Sequence, residues 1–151
     1  MPVPDHVAIT NLVFRYAELI DAGDFEGVGA LFADAVITAE GSDVSWRGSQ
    51  AITEMYVEGT RRYPDGTPRT KHVTTNLIIE VDDARERATC RSYFTVFQQT
   101  EGVSLQPIIG GRYHDEFRRV VHWSFARRHM VVDLVGDLSQ HLLFDYRRPD
   151  P

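Results

Sequence analysis

The chain holds a single cysteine, Cys90, among its 151 residues. No internal disulfide can form, no cysteine-rich zinc site can be built, and the usage fits a reducing compartment. An excess of basic residues is also missing. Lys and Arg number 16 against 22 Asp and Glu, for a formal net charge of −6. Nucleic-acid binders usually carry a clustered basic patch, so a nucleic-acid partner is not expected. No apolar run approaches the 18 or more residues of a membrane span, so no membrane partner is expected either. The first residues lack the basic and then apolar pattern of a secretory leader. Internal repeats and low-complexity blocks are absent. What is present is ordinary for a folded soluble domain: 42% hydrophobic and 25% charged residues. A chain of this length can bury about two-thirds of the surface its unfolded form exposes, so it needs no covalent or metal staple. The expectation is one cytoplasmic domain over residues 1–144, with a short polar, poorly ordered tail at 145–151. Composition leaves enzyme and binding module open.

The first third has helical periodicity. Asp5 is the expected N-cap of a helix carrying Val7, Ile9, Leu12, Val13, Tyr16, Leu19 and Ile20 near one face. Gly23 is its stop signal, and Asp24 can cap a second, shorter helix through Leu31 and Phe32. A short strand is expected at Ala35–Ala39, and Gly41-Ser42-Asp43 turns into Val44-Ser45-Trp46. Ser49 is the expected cap of a third helix with Ile52, Met55 and Tyr56, and the Pro- and Gly-bearing stretch 63–68 reads as a loop.

The period then changes to two. Four long strands are expected, at Val73–Val81, Thr89–Gln98, Leu105–Val120 and Trp123–Leu134. In the third, Tyr113, Asp115 and Phe117 share one face, and Arg112, His114 and Glu116 share the other. Gly110-Gly111 marks a bulge or bend. Helices first and strands after indicate an α+β fold, a curved and mainly antiparallel sheet covered by about three N-terminal helices. The mouth of such a cone is a natural small-molecule pocket.

Five residues stand out for chemistry. His72 can act as a general base, because imidazole titrates near neutrality, or it can be a hydrogen-bonded structural histidine. Asp21 can hold one nitrogen of that ring, or it can be a solvated carboxylate or local cap. Tyr16 can turn its hydroxyl into a pocket or pack as a core aromatic. Arg127 and Arg128 alternate across the last strand, so one of them points inward unless both are solvated. An inward arginine binds a carboxylate, a carbonyl or a leaving group. Asp115 fits a buried structural role better than a pocket role. His114, His122, His129 and His141 lack metal-ligand spacing. No metal and no cofactor is expected.

The order of elements and four stretches of text resemble the SnoaL-like branch of the nuclear transport factor 2-like (NTF2-like) superfamily. The stretches are Arg15–Phe25, Lys71–Asn76, Gly110–Phe117 and Trp123–Arg128, and the resemblance covers about residues 5–140. It implies a cone-shaped fold. Within that branch the chain is similar to cofactor-free lyases: scytalone dehydratase, hexachlorocyclohexane dehydrochlorinase and bile acid 7α-dehydratase. Their paired aspartate and histidine fall on Asp21 and His72, the bile acid enzyme's tyrosine on Tyr16, and an arginine of the last strand on Arg128. The resemblance also marks departures. The bile acid enzyme's second acid has no counterpart in Cys90–Gln99, and scytalone dehydratase's second pocket histidine is missing from the same strand. The implied function is a dehydratase or dehydrohalogenase acting on a small apolar or aromatic ring compound through a His–Asp dyad. An isomerase or polyketide cyclase could use the same dyad, and the superfamily also holds non-catalytic ligand carriers and assembly subunits. A homo-oligomer, trimer or dimer, is implied as well.

Overall fold

A computed structural model describes residues 2–150. Helices α1 (Asp5–Asp21) and α2 (Phe25–Leu31) come first, then strands β1 (Val36–Ala39) and β2 (Ser45–Arg47) and helix α3 (Gly48–Gly59). Four long strands follow: β3 (Thr70–Val81), β4 (Arg87–Gln98), β5 (Gln106–Arg119) and β6 (Trp123–Val135). One six-stranded sheet has the order β2-β1-β6-β5-β4-β3. Every pairing is antiparallel except β1 with β6. The expected α+β architecture is the one observed. None of the helices described is long and apolar enough to cross a membrane.

Helix α1 buries Ile9, Val13, Tyr16, Leu19 and Ile20. Each fully buried aliphatic side chain of this kind contributes about 1.5–3 kcal/mol. Asp5 is not the N-cap. Pro4 holds that position without a side-chain cap, and Asp5 is the first helical residue, where its carboxylate binds Arg85, Arg119 and the Trp123 indole N–H. These partners, 80 to 118 residues away, outcompete a local cap. Gly23 does end the helix: its φ of +74° is the left-handed value that favours glycine. The Asp24 N–H then reaches back to the Leu19 carbonyl at 2.9 Å. The Asp24 carboxylate caps α2 by accepting the Gly27 N–H at 2.8 Å. Ser49 is not a cap either, because α3 already begins at Gly48, straight out of β2.

Strand β4 shows why the sheet has two different faces. Ala88, Cys90, Ser92, Phe94, Val96 and Gln98 are all buried, and most residues between them are exposed. The register slips between Gly110 and Gly111, as the glycine pair predicts. A Cβ on Gly111 would collide with the Phe94 ring and the Val131 carbonyl. In β3 the register slips between Thr75 and Ile78, with Asn76 at φ +56°. Such bulges bend strands and curve the sheet.

Segment 145–150 has no regular structure, although Pro149 lies against Gly41. Pro151, the end of the expected tail, lies outside the described residues. Cys90 is buried, and burial foremost, with Asp115 adding to it, pushes its thiol up to about 11. The thiol is therefore protonated and unreactive at neutral pH.

Candidate active site

Asp21 is the last residue of α1, and His72 is the third residue of β3. The helix end and the strand start meet, and the Asp21 carboxylate accepts three hydrogen bonds there. Oδ1 takes His72 Nδ1–H at 2.6 Å and the Thr70 hydroxyl at 2.9 Å. Oδ2 takes the His72 backbone N–H at 2.8 Å. Both side chains are more than nine-tenths buried. A carboxylate can only accept, so Nδ1 carries the proton and the lone pair of neutral His72 sits on Nε2. No described residue hydrogen-bonds Nε2.

Tyr16 is both a core residue and a polar one. Only 3% of it is exposed. Its ring meets His72 edge-on at 6.2 Å and Tyr113 at 5.9 Å, and its hydroxyl bonds that of Tyr56 at 2.7 Å. Burial raises the hydroxyl pKa of Tyr16, Tyr56 and Tyr113, so all three stay protonated.

Arg128, not Arg127, faces inward. Simple alternation from the buried Phe125 would turn Arg127 inward. The register slip that pairs Phe117 with Phe125 but Glu116 with Arg127 inserts Ala126 as an extra residue and moves Arg128 to the inner face. The guanidinium is fully buried and forms a fork with Asp115 at 2.7 and 2.8 Å. It lies 3.8 Å from the Tyr113 ring centroid and 4.3 Å from that of Tyr16. Burial works against the charge, but the Asp115 carboxylate outweighs it and holds Arg128 protonated above its ordinary range. Nη1 is buried and has no partner. Asp115 thus has the expected structural role, and it also positions Arg128.

Around Tyr16 the rings of Tyr56 and Tyr113 and the Arg128 guanidinium pack closely. Beside the dyad lies an open groove of about 570 Å³ between α1 and β3, lined by Phe14, Ala17, Glu18, Asp21, Lys71 and His72. That volume suits a ring-sized ligand. Among the described residues, no three His, Cys, Asp or Glu side chains cluster to hold a metal ion.

Three residues of the site had no signal in the sequence. Tyr56 and Tyr113 carried only core periodicity. His141 lies past the last strand, in a segment without a motif. Its ring is 6.4 Å from that of His72 and only 8% of the residue is exposed. Burial first, and His72 second, push the His141 pKa down to about 4, with Asp21 opposing. The unfolded value is about 6.5. The unfolded chain therefore binds the extra proton first, and stability falls as the pH drops from about 6.5 towards 4. The loss is expected to reach about 2 kcal/mol by pH 5. Thermal melts between pH 7.5 and 5 check this, and H141N should flatten the slope.

The SnoaL-like domain family model matches residues 2–129. The chain belongs to the SnoaL-like domain family. No curated protein matches it. An NTF2-like protein with a cystatin-like fold from Novosphingobium aromaticivorans shares 22% identity at a TM-score of 0.70, over 85% of this chain and 81% of that one. A scytalone dehydratase candidate from the same organism shares 21% at a TM-score of 0.72, over 97% and 92%. LinA shares 18% at a TM-score of 0.68, over 95% and 94%. At these identities the likeness is one of fold. The SnoaL-like chain therefore shares its fold with these three proteins.

Proposed function

We propose that this SnoaL-like protein is a cofactor-independent lyase that eliminates a leaving group from a small apolar ring compound. The observation that supports this reading best is the Asp21–His72 contact. Three donors hold the carboxylate in place and its contact with Nδ1 fixes the ring tautomer, so His72 Nε2 is left as the free base. His72 Nε2 takes a proton from the carbon next to the one bearing the leaving group. The C–H electron pair becomes the new C=C bond, and the leaving group departs with its own bonding pair. Asp21 stabilises the imidazolium that forms. Tyr16 packs edge-on against His72 and Arg128 lies over the Tyr16 ring; neither lines the groove, and in this reading both favour negative charge beside the base through the field they add from behind it.

Nitrobenzisoxazole tests the base without knowledge of the natural substrate. A base removes its single ring C–H proton, the N–O bond breaks, and a coloured phenolate forms. Saturable ring opening is expected from the wild-type protein. D21N should lower it about a hundredfold, because an amide cannot accept all three hydrogen bonds and turns its own N–H toward one of the donors. Histidine 15N spectra should then show that His72 has left the Nδ1–H tautomer. An unchanged rate together with an unchanged tautomer would remove the dyad from the mechanism.

A further inference from the structure

His141 is held close to His72 by a segment that does not need its imidazole. After β6 the chain doubles back over the end of α3. Thr60 and Leu142 form a bridge, Arg61 N–H donates to the His141 carbonyl at 2.8 Å, and Leu143 N–H donates to the Gly59 carbonyl at 3.0 Å. Gln98, itself buried, donates from Nε2 to the carbonyls of Gln140 at 3.0 Å and Pro68 at 3.2 Å. The Tyr63 hydroxyl also donates to the Gln140 carbonyl. The segment is thus anchored through backbone groups and neighbouring side chains. The His141 ring makes no hydrogen bond among the described residues, and its Nδ1 is buried without a partner. Buried polar atoms are overwhelmingly paired, so an orphaned imidazole nitrogen beside a candidate base needs an explanation. The Gln98 Oε1 atom, also buried and unpaired, lies in the same region. On β4 the residue opposite His72 is Val96, which brings no polar group. The imidazole that lies 6.4 Å from the His72 ring is His141, from the C-terminal segment.

We propose that His141 is a second catalytic imidazole, which hydrogen-bonds the oxygen atom of the departing group. The proposal rests on the dyad reading above and narrows it, because it selects substrates that lose an oxygen leaving group, as in dehydration. His72 Nε2 takes the carbon proton, the C–O bond breaks with its electron pair on oxygen, and His72 returns the proton to make water. His141 stays neutral throughout and stabilises the oxygen as negative charge builds on it. The groups facing it are His72 from β3, Asp21 from α1, and the Arg61 and Tyr63 segment that follows α3.

Nitrobenzisoxazole suits the test, because its departing atom is an oxygen. H141F is expected to lower kcat about tenfold, the size of one lost hydrogen bond in the transition state, with KM nearly constant. H141N keeps a hydrogen-bonding group near the position of Nδ1 and should recover most of the rate. In the wild-type protein, adding nitrophenol as a mimic of the product should shift the 15N resonance of His141 Nδ1. Full activity in H141F would overturn the assignment. So would equal loss in folded H141N and H141F, or an unmoved His141 resonance at the highest nitrophenol concentration. If H72A keeps wild-type turnover, the dyad reading fails, and the nitrophenol shift still decides His141 separately.

Discussion

H72A is expected to lower the ring-opening rate at least a hundredfold and to shift the melting temperature by only a few degrees. The rate loss follows from general-base catalysis, which contributes about 10²–10⁴. The small stability effect follows from how Asp21 is held. Its carboxylate keeps the Thr70 hydroxyl and the residue-72 backbone N–H after the ring is removed, so two of three donors remain. What is lost is one hydrogen bond and the packing of a single ring, on the order of 1–3 kcal/mol together. Steady-state assays with calorimetry on the same samples check both halves. A variant that keeps its rate removes His72 from the chemistry. A variant that unfolds makes His72 a structural residue first.

R128M is expected to produce the largest stability change, about 3–5 kcal/mol. Asp115 is fully buried, and both its oxygens are spent on the Arg128 fork. Removing the cation leaves a carboxylate in an apolar interior among Tyr113, Phe117 and Phe125. That cost is a large share of the 5–15 kcal/mol that typically holds a domain together. The pH dependence identifies the cause. Without Arg128, burial raises the folded-state pKa of Asp115 above its unfolded value, so the folded protein binds a proton more readily than the unfolded chain does. The deficit relative to wild type is then largest at neutral pH and shrinks as the pH falls towards 4. The double variant R128M/D115L removes both charges and should recover most of the loss. Paired denaturation curves at pH 7 and 5 for the three proteins settle it, and a deficit independent of pH would point to lost packing instead.

Several features were legible because they depend on neighbours close in sequence. The Asp24 cap satisfies an N–H three residues away, and the buried face of β4 follows from strict alternation. The dyad was readable only as a pair of residue types in a resembling pattern. Nothing in the spacing of 51 residues between Asp21 and His72 shows that they touch. The failures have a common physical origin. Asp5 is a good cap by residue type, but a more favourable set of partners comes from the β3–β4 turn and the β5–β6 hairpin. Ser49 lost its place because Gly48, at φ +81°, turns the chain one residue earlier. The choice between Arg127 and Arg128 depends on a bulge, and a bulge leaves no trace in residue alternation. His141 became visible only when the chain beyond the sheet folded back beside α3.

Strand β3 carries His72 and is also an edge of the sheet. An edge strand offers unpaired N–H groups to any passing strand, and folded proteins must blunt that template. Here the first outward N–H groups of β3 lie beside the end of α1, and the one at His72 is taken by Asp21. Farther along, the bulge around Asn76 bends the strand out of line. The opposite edge, β2, is only three residues long. The carboxylate that holds the His72 ring thus also helps guard the sheet against growth by strand addition. Loss of Asp21 would therefore carry a colloidal cost, exposing one more edge N–H to a passing strand.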